Sequence, residues 1–119
     1  MNKVIKIFMI TIIFLSTVFS SHALEKNHWI IGIWELSYDP DGNSKDWIEF
    51  TKEGHVYSIN SDKTIRVPGT YKVSESKILV LFSWKGNNIP MEYTYKDSKE
   101  VLYVYSEKTS NTSKYVKLK

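Results

Sequence analysis

The chain has 119 residues, 16 Lys+Arg against 13 Asp+Glu, and no cysteine. That length suits one domain, and the missing thiols exclude disulfides, thiol catalysis and lipid attachment through cysteine. Setting Lys3 and Lys6 aside leaves 14 cations against 13 anions with no basic run, which makes nucleic acid a poor partner.

The first segment reads as a secretory leader. Lys3 and Lys6 form a short basic start, Ile7 to Phe19 is a weakly polar to apolar run, and Ser21-His22-Ala23 offers small residues for cleavage. The run is short for a hydrocarbon core of about 30 Å, which takes about 20 residues. An uncleaved anchor is the alternative; cleavage is favoured by Ser21 and Ala23 and would leave no stable membrane anchor. The expected division is therefore a signal peptide over 1–23 and one domain over 24–119, about 96 residues, placed in the periplasm or secreted. Arg66 is the one arginine among many lysines, a bias typical of AT-rich bacteria.

After Ala23 the apolar residues recur with period two, between clusters of turn formers. Strands are expected at Trp29–Tyr38, Trp47–Lys52, His55–Asn60, Arg66–Ser74, Lys77–Trp84, Ile89–Lys96, Val101–Glu107 and Tyr115–Leu118. Asp39–Asp46 ("DPDGNSKD") is a turn-rich loop, and Gly54 marks a hairpin. Pro68 and Gly69 mark an edge or a bend. Short connections place successive strands side by side. An eight-stranded meander buries its two edges by closing first strand on last, so the expected fold is all-β, a single antiparallel up-and-down barrel. A two-sheet sandwich would need longer crossovers.

Alternation then gives an inside. Trp34, Leu36 and Tyr38 share a face, as do Ile48 and Phe50; Val56 follows. Tyr71 and Val73, then Ile78, Val80 and Phe82, then Met91, Tyr93 and Tyr95 continue it. The Val101 strand reads either way, Leu102 and Val104 inward or Val101, Tyr103 and Tyr105 inward. In "WIIGIWELSY" (Trp29–Tyr38), Gly32 falls on the face of Trp34, where a glycine allows a bend and lets the indole close one end of the barrel.

Gly32-Ile33-Trp34 resembles the G-x-W signature of the lipocalins. "IEFTKEGHVY" and "GTYKV" resemble small bacterial lipocalin-like domains, which carry an F-x-x-x-G hairpin and a G-x-Y strand start; here these are Phe50, Gly54, Gly69 and Tyr71. The resemblance covers nearly all of the chain after Ala23. It implies a calycin-type barrel that binds a small hydrophobic molecule. Where lipocalins set an arginine against the motif tryptophan, this chain offers Lys117 or Lys119.

Enzyme chemistry finds little footing. His28 and His55 read as surface polar residues, and a site of three histidines cannot be built from them. Asp39, Asp41, Asn43 and Asp46 alternate oxygen ligands around a glycine, but no glutamate closes a calcium loop and Lys45 intrudes, so a plain loop is expected. No metal or cofactor is expected, and no enzyme activity. Asn111-Thr112-Ser113 would be a glycosylation site only in a eukaryote.

Aromatics make up 14% of the chain, enough either to fill a small barrel or to line a pocket within it. A void of a few tens of Å³ would mean a filled barrel, about 300 Å³ a ligand pocket. The candidate ligand-binding residues are the inward ones, Trp34, Leu36, Phe50, Tyr71, Val80, Phe82 and Tyr93. Tyr95, Tyr103, Tyr105 and Trp84 are candidates for an exposed aromatic patch. The expected function is a non-enzymatic exported lipocalin-like binding protein for a small hydrophobic ligand. The alternative is a periplasmic inhibitor or immunity-type protein acting through protein–protein contact.

Overall fold

Period-two alternation is realised as eight strands in a computed structural model that describes residues 27–119. They are β1 (Gly32–Tyr38), β2 (Trp47–Phe50), β3 (His55–Ile59), β4 (Arg66–Ser74), β5 (Lys77–Trp84), β6 (Asn87–Thr94), β7 (Val101–Ser106) and β8 (Asn111–Lys117). The leader expected over 1–23 lies outside the described residues. Each strand pairs antiparallel with the next, and β1 pairs with β8, so the sheet is a closed up-and-down barrel. Glu35 stands opposite Val116, and the Leu118 N–H donates to the Ile33 carbonyl at 2.8 Å. Closure removes the outer edges that an open meander would expose.

One end is sealed from within. Trp29 and Ile30, expected to begin the first strand, instead form a 3₁₀ turn, His28–Ile30. The turn folds under the barrel and supplies Ile30 to the core. Trp34 is fully buried, and its indole Nε1–H donates to the Ile30 carbonyl at 2.9 Å. Trp29 meets Trp34 edge to face at 6.2 Å and lies tilted against Tyr95 at 4.7 Å. Lys117 faces Trp34 in the register, but its ammonium donates to the Trp29 carbonyl at 2.9 Å. The lysine that stands over an indole at this end is Lys99, 5.8 Å above Trp29.

The inside follows the alternation, with one exception on β1. Trp34, Leu36, Ile48, Phe50, Val56, Ile78, Val80, Phe82, Tyr93, Leu102 and Tyr115 are buried with Ile30. Leu102 settles the ambiguous strand, with Val104 packed behind it. Tyr38 was expected to follow Trp34 and Leu36 inward and does not. Leu36 pairs with Tyr115 but Tyr38 with Lys114, so β1 carries one extra residue at Ser37. Such a bulge turns the following side chain to the other face, and Tyr38 is 53% exposed.

Other boundaries differ as well: β2 ends at Phe50 rather than Lys52 and β6 at Thr94 rather than Lys96, and β3, β7 and β8 each end one residue early. Lys85 and Gly86 both have positive φ, 50° and 78°, which gives a two-residue hairpin turn. β6 therefore starts at Asn87, not Ile89. β8 starts at Asn111, not Tyr115, because Asn111–Lys114 pair along β7 although they offer no apolar alternation.

The wall is uneven. β5 and β6 share eight registered pairs and β7 and β8 share six, but β6 and β7 share two, Tyr93–Val104 and Thr94–Tyr103. The β4–β5 ladder ends at Gly69–Phe82. The far end of the β5–β6 hairpin thus stands free of both neighbours. Pro68 and Pro90 lie along these open stretches, where a missing N–H costs no ladder bond. Gly69 marks a close approach, since a Cβ there would stand 2.5 Å from the Leu81 carbonyl oxygen.

A polar corner in the cavity at the barrel mouth

The loops at Asp39–Asp46, Asn60–Ile65, Lys85–Gly86 and Glu107–Ser110 ring the end opposite the tryptophan seal. Below them lies a cavity of about 240 Å³. Ile48, Val67, Phe82, Trp84, Ile89 and Met91 give it an apolar lining; Asp46, Ser58, Tyr93 and Tyr115 complete it. The parity that buries Ile48 and Phe50 also points Asp46 inward, two residues before Ile48 along the same chain.

Three of the polar groups converge. The Tyr115 hydroxyl donates to Asp46 Oδ1 at 2.8 Å. The rings of Tyr93 and Tyr115 meet edge to face, 6.1 Å apart. The Tyr93 hydroxyl has no hydrogen-bond partner among the described residues, yet no sealed side-chain polar atom among them is left unpaired, so that hydroxyl opens onto the cavity. Burial raises the Asp46 carboxyl above the usual carboxylate range; the Tyr115 hydrogen bond opposes the shift and the Asp39 charge adds to it. Burial first, and then the Asp46 charge, push the Tyr93 phenol up. Burial, the neighbouring Tyr93 and Asp46 push up that of Tyr115. Both phenols keep their protons at neutral pH and act as hydrogen-bond donors.

The rest of the acidic loop is occupied with itself. The Asp41 and Asn43 N–H groups donate to the Asp39 carboxylate at 2.9 and 3.1 Å, and Ser113 adds a third bond. Thr109 and Asn111 donate to Asp41 at 2.9 and 2.7 Å, tying this loop to the β7–β8 turn. These bonds hold the loop as a lid-side wall and leave Asp46 as the carboxylate that faces the interior. No cluster of three or more metal-ligating side chains occurs among the described residues.

Of the seven residues expected to contact a ligand, Phe82 and Tyr93 line this cavity. Trp34 and Phe50 pack at the sealed end; Phe50 meets Tyr71 edge to face at 5.0 Å, and the Tyr71 hydroxyl donates to the Thr51 carbonyl at 2.6 Å. Leu36 and Val80 are core residues between the two ends. The four aromatics expected as one outer patch are dispersed. Tyr95 belongs to the sealed end, where its hydroxyl donates to the Ser74 carbonyl. Trp84 sits at the mouth, whereas Tyr103, under Lys96, and the exposed Tyr105 share the outer hollow along the β6–β7 seam. Asp46 and Tyr115 were not among the expected contacts; the inward parity of Asp46 was the available signal.

Larger hollows lie on the outer surface, one of about 550 Å³ beside Lys99, Glu100 and the end of β8. A second of about 730 Å³ spreads over β4, β5 and β6 around the exposed Leu79 and Leu81. Another of about 600 Å³ follows the open β6–β7 seam past Pro90 and Tyr105. The last two are also larger than the mouth cavity, and the one along the seam carries the exposed Lys77–Glu92 ion pair. No family model, curated protein or solved structure matches the chain.

Proposed function

We propose that the chain is an exported, non-enzymatic, lipocalin-like protein that takes a small hydrophobic ligand in the mouth cavity. The observation that carries this reading is the cavity itself, about 240 Å³ with an apolar ring and a few converging polar groups. That is the composition of a small-molecule site, and its size falls just below the roughly 300 Å³ at which drug-sized pockets begin. The ligand is accordingly compact. The lipocalin resemblance is supported by Gly32-x-Trp34 at the sealed end and by the eight-strand closure.

An uncharged apolar fluorophore is the test. Saturable one-to-one uptake, abolished by Val67→Trp with the fold retained, is the expected result; uptake that is non-saturable or indifferent to Val67→Trp overturns it. Mass measurement of the exported chain should give a new N-terminus near Leu24.

A second reading has its own support. Leu79 and Leu81 are 50% and 43% exposed side by side on the outer wall, beside Pro90, a composition suited to protein contact. Under this reading the chain is an inhibitor or immunity-type protein. Leu79→Lys with Leu81→Lys would abolish capture of that partner and leave fluorophore uptake untouched.

A further inference from the structure

Asp46 is a carboxylate half withdrawn from water into an apolar cavity, and among the described residues no cation stands within ion-pair distance of it. The ion pairs that form join Lys45 to Glu35, Arg66 to Glu49 and Lys77 to Glu92. Lys45, the nearest in sequence, is thus turned away to Glu35 at 3.3 Å. Of the other lysines around the mouth, Lys63 rests on Trp47, Lys85 on Trp84 and Lys114 on Tyr38, while Lys108, in the β7–β8 loop, forms no ion pair with Asp46. Asp39 adds negative potential from the same side. A charge taken out of water is costly unless it is paired. Tyr115 satisfies one oxygen of Asp46, and nothing in the barrel neutralises the charge.

We propose that the ligand supplies the missing cation, so that the mouth cavity selects a compact primary amine: an ammonium head against Asp46 and an apolar or aromatic body among Phe82, Trp84, Ile89 and Met91. An ammonium has three N–H donors and no acceptor. The acceptors that line this cavity are the second Asp46 oxygen, the Tyr93 hydroxyl oxygen and the Tyr115 hydroxyl oxygen. A carboxylate ligand would meet Asp46 with like charge, and an alcohol would leave that charge unpaired. This inference rests on the ligand-binding reading and adds the charge of the head group.

The test is calorimetric titration of the wild-type chain with three ligands of one shape: phenethylamine, 2-phenylethanol and phenylacetate. The amine is expected to bind about tenfold or more tightly than the alcohol, as a charge-assisted hydrogen bond allows, and the acid weakest. Asp46→Asn should bring the amine down to the alcohol's affinity while the alcohol stays within about twofold, since its own contacts are apolar. Tyr93→Phe, which removes an acceptor without touching the Asp46–Tyr115 bond, should weaken the amine alone. Equal affinity for amine and alcohol, or an amine preference that survives Asp46→Asn, overturns the cation while the apolar-ligand reading stands. Failure of all three ligands together with the uncharged fluorophore overturns both.

Discussion

Lys117 lies across Gly32: its Cε stands 2.7 Å from the point a Cβ on residue 32 would occupy, and its ammonium reaches on to the Trp29 carbonyl. Gly32 has φ of +135°, a conformation that side-chain-bearing residues rarely adopt. The strand turns at this point from the 3₁₀ turn into the wall, and Trp34 enters the core two residues later. Backbone conformation and crowding thus make separate demands on one position. Gly32→Ala should cost about 1–3 kcal/mol in chemical denaturation. Lys117→Ala in the same chain should recover part of that loss, because the lysine is flexible and its clash can be relieved. The conformational part stays.

Trp34 carries the seal that this bend makes room for. The indole is fully buried and holds the Ile30 carbonyl, which belongs to the chain segment tucked beneath it. Trp34→Ala should cost about 3–5 kcal/mol from the lost apolar contact and the void left behind. Trp34→Phe keeps much of the volume but leaves the Ile30 carbonyl without its donor, a loss of about 1–3 kcal/mol. The expected order of denaturation midpoints is wild type, then Phe, then Ala. A Phe variant as stable as wild type would mean that the hydrogen bond contributes nothing.

How much of this was legible depends on which side chains face inward. Ile78, Val80 and Phe82 alternate without interruption, and so do Ile48 and Phe50; their burial follows from sequence parity alone. Tyr38 escapes that rule because the extra residue at Ser37 is a property of β1 pairing with β8, 77 positions away at Lys114, and no local pattern records it. Asn111–Lys114 read as a loop because they are polar, yet they are a strand because β7 offers a ladder and Asp39 and Asp41 take up Ser113 and Asn111. In the cavity, Phe82 and Tyr93 were legible by parity. Asp46 was obscured by its neighbours: it closes a run of turn formers, and composition spoke louder there than its spacing from Ile48.

The short β6–β7 ladder sets a pattern of local stability. The Tyr95 N–H donates to the Ser76 carbonyl, toward the β5 side of the hairpin. Successive residues of a strand point their backbone groups to opposite neighbours, so the Glu92 and Asn88 N–H groups face β7. The ladder with β7 stops at Tyr93 and Thr94, before either is reached. In hydrogen exchange those two amides should exchange quickly, whereas those of Tyr93 and Met91, directed at β5, should be protected along with β1 and β8. Equal protection of Glu92 and Met91 would mean that the seam is closed in solution.

Asp46 makes stability depend on pH with a sign opposite to that of a salt-bridged carboxylate. Its folded-state proton affinity is raised, chiefly by burial and secondarily by Asp39, against the opposing bond from Tyr115. In the unfolded chain the same group titrates near the ordinary value of about 3.9. Between these two points the folded state binds more protons than the unfolded one, so this residue's contribution to stability rises as pH falls through the window and is smallest above it. Asp39 and Asp62 act the other way, held below the usual carboxylate range by hydrogen bonds from Asp41 and from Thr64 respectively. Whole-protein melting curves would mix these effects, so the informative quantity is the difference between wild type and Asp46→Asn. Asparagine keeps an oxygen for the Tyr115 hydroxyl and cannot titrate. The wild type should gain on this variant as pH is lowered from 7 toward about 4, with the difference levelling off below. A difference independent of pH would show Asp46 to be as well solvated as a surface carboxylate, and its burial at the mouth would then cost nothing for a cation to relieve.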